Sequence, residues 1–190
     1  MKYSNWVDNP RSTRSGYSVH KITNARPWTY EEHGHRGFHE LVCAVDGVFK
    51  NIVNGKERTQ SAGEIILIRD RDSHALAGQT FTYVNIMFQT DWIGRLEHYT
   101  QFIGTTDALM TPGDAPRAVI PPPQQAQYRA ELEGLLANAD SMVGRRLFAS
   151  FLLGTVIQHL APPAEREYPA GMPDWLRGAM VWMDEHRHTP

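Results

Sequence analysis

The sequence predicts a mainly β protein, an antiparallel sandwich or barrel, followed by C-terminal α-helices. Two observations carry this. Between Tyr17 and Gln89, runs of β-branched and aromatic residues are separated by Gly, Asn and Asp turns, with no helical stretch between them. After about Thr90 the character changes, and from Gln124 onward apolar residues recur at helical spacing.

Residues Met1 to Arg26 are polar and turn-rich and read as an arm leading into a first strand at YSVHKI (17–22). RPWTYEEHGH follows, its proline and aromatics favouring an extended edge segment. HELVCAVDG reads as a buried strand ending in a turn at Asp46-Gly47. VFKNIVNGKERTQS carries the strongest hairpin signal, Asn54-Gly55 between two strand-like runs. GEIILIRD is a further short strand. FTYVNIMFQ places Phe81, Tyr83, Asn85 and Met87 on one face and Thr82, Val84, Ile86 and Phe88 on the other. Both faces are largely apolar, which marks a central strand.

DWIGRLEHYTQFIG reads as a short helix or an excursion, and TPGDAPRAVIPPP as a loop and extended stretch before a helix. Tyr128, Leu132, Leu135 and Leu136 then define one amphipathic helix over 124–139. Leu147, Phe148, Phe151, Leu152, Val156 and Leu160 define a second over 143–160, antiparallel to the first if 140–144 is a turn. APPAEREYPAG is linker-like. PDWLRGAMVWM begins another helix, with Asp174 as N-cap and Trp175, Leu176, Ala179, Met180 and Met183 on one face. No internal repeat is present.

A chain of 190 residues can bury one sizeable core. Its single cysteine, Cys43, excludes an intrachain disulfide framework and fits a reducing compartment such as the cytoplasm. No apolar run reaches the roughly 18 residues of a membrane span, and MKYSNWVDNPRS has no apolar signal region. A formal charge of -2 argues against this chain gripping DNA itself. A small molecule, a metal or another protein is the expected partner.

The candidate site is EEHGHRGFHELVCAVDG (31–47), with His74 further on. On a strand, residues two apart share a face, so His33 and His35 point together. Glu40 lies an odd offset beyond His35, so a turn or bulge must reset the parity, and Arg36-Gly37 is the place for it. Glu40 then shares its face with Val42 and Ala44, and His39 shares the other with Leu41, Cys43 and Val45. His39 and Cys43 are thereby excluded as ligands. His74 is expected to come back across the barrel from a different strand pair. Three imidazoles and a carboxylate suit a divalent transition metal: zinc or nickel first, copper by affinity order, with iron or manganese also compatible. One or two coordination positions stay open for a small molecule.

These residues match the two cupin motifs. His33-x-His35, four residues, Glu40, six residues and Gly47 form the first in full. Gly63, five residues, Arg69-x-Arg71, two residues and His74 resemble the second, with Arg69 and Arg71 standing where cupins usually have proline and glycine and Gly78 where asparagine is frequent. The resemblance implies a cupin (double-stranded β-helix or jelly-roll barrel) and a metal held by His33, His35, Glu40 and His74. The run from His33 to Leu76 also looks like the N-terminal sensor segment of AraC-type transcriptional regulators, in particular those of rhamnose and chito-oligosaccharide use. PDWLRGAMVWM resembles the linker and first helix of that family's DNA-binding domain. The resemblance covers about Arg26 to Phe88 and Met172 to Met183. It implies a cupin sensor over 1–120, a helical dimerisation or packing segment over 121–162, and over 163–190 a linker and the first helix of a truncated helix-turn-helix domain.

Trp28, Tyr30, Phe38, Arg69 and Tyr83 are the candidate ligand-binding residues. The aromatics can stack on a sugar ring or pack a core. Arg69 and Arg71 can pair with a hydroxylated or anionic ligand, or with Asp70, Asp72 or Glu64 at the surface. Cys43 reads as a buried thiol. The helices can pack on the barrel or form a homodimer interface, and the dimer is the expectation. The resemblance thus implies a cytoplasmic ligand sensor without catalytic residues that controls DNA binding through the missing domain in response to a small molecule such as a sugar. The alternative is a metal-dependent cupin dioxygenase or isomerase, for which Glu64 and Tyr83 are the nameable acid–base groups.

Overall fold

A computed structural model describes residues 2–6, 15–100, 105–139, 141–160 and 173. Among these residues seven strands are formed: β1 (Lys2–Asn5), β2 (Tyr17–Arg36), β3 (Phe38–Val53), β4 (Lys56–Ser61), β5 (Glu64–Ile68), β6 (Ser73–Gln89) and β7 (Arg117–Val119). They pair in the order β1-β2-β6-β3-β5-β7, with β4 on β3. All pairings are antiparallel except β1 on β2.

Three strands are long, and they shift register at one level, with a second shift in β2 between Tyr30 and His33. β2 does so between Ala25 and Trp28, around Pro27, which has no N–H to give to a ladder. β3 does so between Ala44 and Phe49, facing Gly78 to Tyr83 of β6. Gly47 sits there at φ 73°, where a Cβ would stand 2.4 Å from the Thr80 carbonyl oxygen. At Gly78 a Cβ would meet the Phe81 ring at 2.7 Å. The bend these residues allow folds the sheet over on itself. Val42, Ala44, Ile66 and Ile68 before the bend pack against Phe49, Val53 and Leu76 beyond it. This is the jelly-roll interior.

The opposite face of the first layer is covered by helices. α1 (Asp91–Thr100) and α2 (Thr105–Met110) follow β6. α3 (Gln125–Ala137) and α4 (Met142–Phe151) follow β7, and α4 runs on as a π-helical stretch, Leu152–Ile157, and a last α turn, Gln158–Leu160. Leu41, Cys43, Ile65, Leu67, Val84 and Ile86 share one core with Tyr128, Leu132, Leu135, Phe148, Phe151 and Leu160. Tyr17 fixes the seam: its ring stacks on Phe148 with centroids 4.5 Å apart, and its hydroxyl donates to the Ala139 carbonyl at 2.6 Å. Ser141 caps α4 by accepting from the Gly144 N–H at 2.9 Å.

The mainly β architecture with C-terminal helices, the Asn54-Gly55 hairpin and the central position of the Phe81–Gln89 run are as the sequence predicts. Four details differ. The first strand does not stop at Ile22 but runs unbroken to Arg36, because Ala25, Thr29 and Tyr30 pair with β6 despite their exposure. Asp46-Gly47 is a bulge inside β3 rather than its end. β6 starts at Ser73 rather than Phe81, and α2 fills 105–110, between the stretch read as a helix or excursion and the stretch read as a loop. The helix expected from PDWLRGAMVWM, and the segment 163–190 except Pro173, lie outside the described residues. Among the described residues no helix is long and apolar enough to cross a membrane.

Candidate metal centre

β2 and β3 are joined through Gly37 alone, at φ 78° with open space where a Cβ would stand. Glycine is needed there for its backbone freedom and not for room. This single turn is the parity reset that the sequence requires. It carries the chain from the second layer, where His33 pairs with His74, to the first, where Glu40 pairs with Met87. His74 is therefore not on a separate strand pair, as the sequence suggested. It sits directly across the β2–β6 ladder from His33, and Glu40 is the residue that reaches over from the facing layer.

One ligand atom from each of His33, His35, Glu40 and His74 lies within 4.8 Å of all the others. The Nε2 atoms converge. His74 Nε2 is 3.2 Å from His33 Nε2 and 3.5 Å from Glu40 Oε1, and His35 Nε2 is 3.2 Å from Glu40 Oε2. His33 Nδ1 donates to the Glu31 carbonyl at 3.0 Å, which leaves its Nε2 with a lone pair aimed into the cluster. His35 Nδ1 and His74 Nδ1 are buried without a partner among the described residues.

Electrostatics prepare the same donors. Burial pushes the Glu40 carboxyl up, but His74, His35 and His33 outweigh it and hold it at about 2. Burial drives His74 down to about 3 against the pull of Glu40, and it lowers His33 for the same reason. At neutral pH the carboxylate is ionised and these two imidazoles are neutral, the forms in which they ligate metal. A fully buried carboxylate among neutral imidazoles is an arrangement that a divalent cation completes. The residues present fit a metal ion.

His39 stands outside the cluster. Its Nδ1 accepts from the Asp70 N–H at 3.1 Å, its ring lies edge-on to Phe88, and burial lowers it to about 4. Cys43 faces the helices, and burial pushes its thiol up to about 12.

Of the candidate ligand-binding residues, three are brought to the cluster. Tyr30 lies edge-on to His33 at 4.6 Å and is 49% exposed, and Trp28 stacks on Tyr30 at 5.7 Å. Phe38 packs beside His35 at 4.6 Å, backed by Trp6 and Met87. Tyr83 is deeper, buried with Phe49 and Phe81. Arg69 is committed within the protein, which is the alternative the sequence offered with Asp72 as partner, though buried and not at the surface. The residue is 1% exposed with every guanidinium nitrogen engaged: Nε and Nη2 on Asp72 at 2.7 and 3.1 Å, Nη1 on the Thr111 carbonyl, and Nη2 also on the Gly113 carbonyl. Arg71 donates to the Met110 carbonyl. Sequence reasoning missed the polar residues facing the interior, Ser18, Asn51 and Asn85. Asn85 was detectable as an amide at a core position between Tyr83 and Met87.

Topology, bend and ligand cluster together define a cupin-fold domain with a His₃Glu cluster that could bind a metal ion. No family model and no curated protein matches the sequence. Among solved structures the chain is similar to ToxT from Vibrio cholerae, an AraC-family regulator, at 11% identity and a TM-score of 0.57 over 73% of this chain and 54% of ToxT. The chain thus spans about half the length of ToxT. It is also similar to KdgF from a Halomonas species, at 14% identity and a TM-score of 0.39 over 41% of this chain and 73% of that one. A third match is a cupin 2 conserved barrel domain protein from Salinispora arenicola, at 18% identity and a TM-score of 0.37 over 42% and 69%. At these identities the likeness is one of fold.

Proposed function

We propose that this domain is the metal-binding, small-molecule sensor of an AraC-type regulator, acting on a helix-turn-helix DNA reader. The observation that carries the proposal is the division of β3. Glu40, Val42 and Ala44 face the metal cluster and barrel interior, while Leu41 and Cys43 face α3 and α4. A ligand that shifts β3 by its differential affinity for two positions shifts the helical layer with it. The metal in this reading is a divalent transition metal, zinc or nickel first, with iron or manganese also compatible with three nitrogens and one oxygen. It supplies a Lewis-acidic position for the effector or a brace for the barrel mouth. The likeness of fold to ToxT supports the regulator reading over the enzyme reading. So does the position of Glu64, whose carboxylate accepts from the Ser61 N–H outside the cluster.

The domain acts as a homodimer in this reading. With the inner faces of α3 and α4 spent on the barrel, Met142, Val143 and Leu147 still expose apolar surface on α4, 69, 57 and 37% exposed. Light scattering at micromolar concentration is expected to give a dimer, and Leu147→Glu a monomer. The regulator reading itself is tested by the coding sequence beyond Pro190. Two helix-turn-helix units are expected there, and a different domain or none would overturn it.

A further inference from the structure

The alternation of β2 does not by itself bring His33 to the metal cluster. Trp28 and Tyr30 share a face with Phe81 of the barrel interior, and in a regular strand Glu32 would be the next residue on it. The register shift after Tyr30 changes this. Tyr30 pairs with Leu76 and His33 with His74, so β2 spends three residues where β6 spends two. The extra residue is a β-bulge that reverses the parity and aims His33, and with it His35, at Glu40 and His74. In an unbroken ladder Glu32 would stand opposite His74, and His33 would face outward.

A bulge disrupts the ladder locally and has to be held by other bonds. Among the described residues two bonds hold this one. His33 Nδ1 donates to the Glu31 carbonyl at 3.0 Å, and the Ser73 hydroxyl donates to the Glu32 carboxylate at 2.7 Å.

The second bond comes from a residue that is itself anchored. Ser73 is 5% exposed and directly precedes His74. Its N–H donates to Asn54 Oδ1 at 2.9 Å, and its carbonyl accepts from the Asn54 N–H at 2.9 Å. The Asn54 amide nitrogen donates to Asp72 Oδ1 at 2.7 Å, and Asp72 is ion-paired with the buried Arg69 at 2.7 Å. Asn54 itself is fixed at φ 50° in the hairpin turn. Ser73 thus has a rigid support on one side and the bulge on the other.

We infer that Ser73 is a positioning residue of the metal centre: through the Glu32 carboxylate its hydroxyl pins the β2 bulge and so holds His33 on the face of the cluster. The inference rests on the reading of the cluster as a metal site. It concerns how a ligand is placed, and neither Ser73 nor Glu32 is one of the four ligands.

The test uses the full chain. Zinc affinity is measured by competition with a chelator, and cobalt(II) serves as a spectroscopic probe whose visible absorption reports the number and arrangement of its ligands. Ser73→Ala and Glu32→Ala should each weaken zinc about tenfold and alter the cobalt spectrum. The Ser73→Ala/Glu32→Ala double variant should be no weaker than either single one, since both break the same bond. Glu32→Gln loses the charge but keeps an acceptor oxygen, and it should retain the parent's zinc affinity and cobalt spectrum. Parent-like affinity and spectrum in both alanine variants, whatever their thermal stability, would overturn the inference and leave the metal site standing. So would losses that add in the double variant. Glu32→Gln as weak as Glu32→Ala would trace the effect to charge and overturn it too. A parent chain that takes up neither zinc nor cobalt would overturn the inference and the metal reading together.

Discussion

The two faces of the first layer are built from the same strands and behave as opposites. Toward the helices, β3 and β6 present Leu41, Cys43, Val84, Ile86 and Phe88, sealed by Phe148, Leu132 and Tyr128 into a continuous apolar core. Toward the interior, the same strands present Glu40 and Asn85 beside His74, Asn51 and Ser18, and among the described residues several of their buried nitrogens and oxygens have no partner. One face carries stability, and the other gives up stability for chemistry. Because the two alternate residue by residue, the parity of a position predicts which property a substitution will damage.

The largest expected effect on the helix face comes from Phe148→Ala. The ring is fully buried against Tyr17, Trp92 and Phe88, so its loss should cost about 3 to 5 kcal/mol in chemical denaturation. Metal affinity should not change. If metal binding weakens in step with stability, the faces are not independent. At the bend that divides the layers, Gly78→Ala would drive a Cβ to 2.7 Å from the Phe81 ring and 2.9 Å from the Phe49 Cβ. A loss of about 1 to 3 kcal/mol is expected, and unlike Phe148→Ala it should also reduce metal affinity, because the bend brings Glu40 over His74.

The interior face should announce itself in the pH dependence of the metal-free chain. The folded value for His74, about 3, lies below the ordinary 6.5, so the unfolded chain takes up the proton first as pH falls. The stability contribution is whole above pH 6.5 and is lost as pH drops toward 3, with His33 adding in the same direction. Glu40, lowered to about 2, extends the loss below pH 4.5. Denaturation midpoints of His74→Phe should fall less steeply across that window than those of the parent chain. Equal slopes would place the acid sensitivity elsewhere. The smallest effect belongs to the helical layer: Ser141→Ala removes the cap on the Gly144 N–H and should cost about 1 kcal/mol in thermal or chemical unfolding.

What was legible in the sequence was whatever local spacing controls. The parity of Glu40 against His39 followed from one glycine, and the hairpin from Asn54-Gly55. The extent of β2 was not legible, because residues 20–33 are half-buried or exposed, and though 20–25 alternate in burial their side chains carry no apolar–polar alternation to read. The role of Arg69 was beyond reach for a different reason. Its two backbone acceptors lie 42 and 44 residues away in sequence, on a loop whose path only the folded chain defines. The unsatisfied amides were hidden likewise, since a missing partner is a property of the packed interior.

The central claim is that the interior face holds a metal at His33, His35, Glu40 and His74 and that the helix face does not depend on it. Metal analysis of the purified chain beside the double variant His35→Ala/His74→Ala, each after dialysis against zinc or nickel, tests it most directly. The account predicts one metal per parent chain, none in the double variant, and the same helical circular dichroism in both. Equal metal content in the two proteins, or none in the parent, would contradict it.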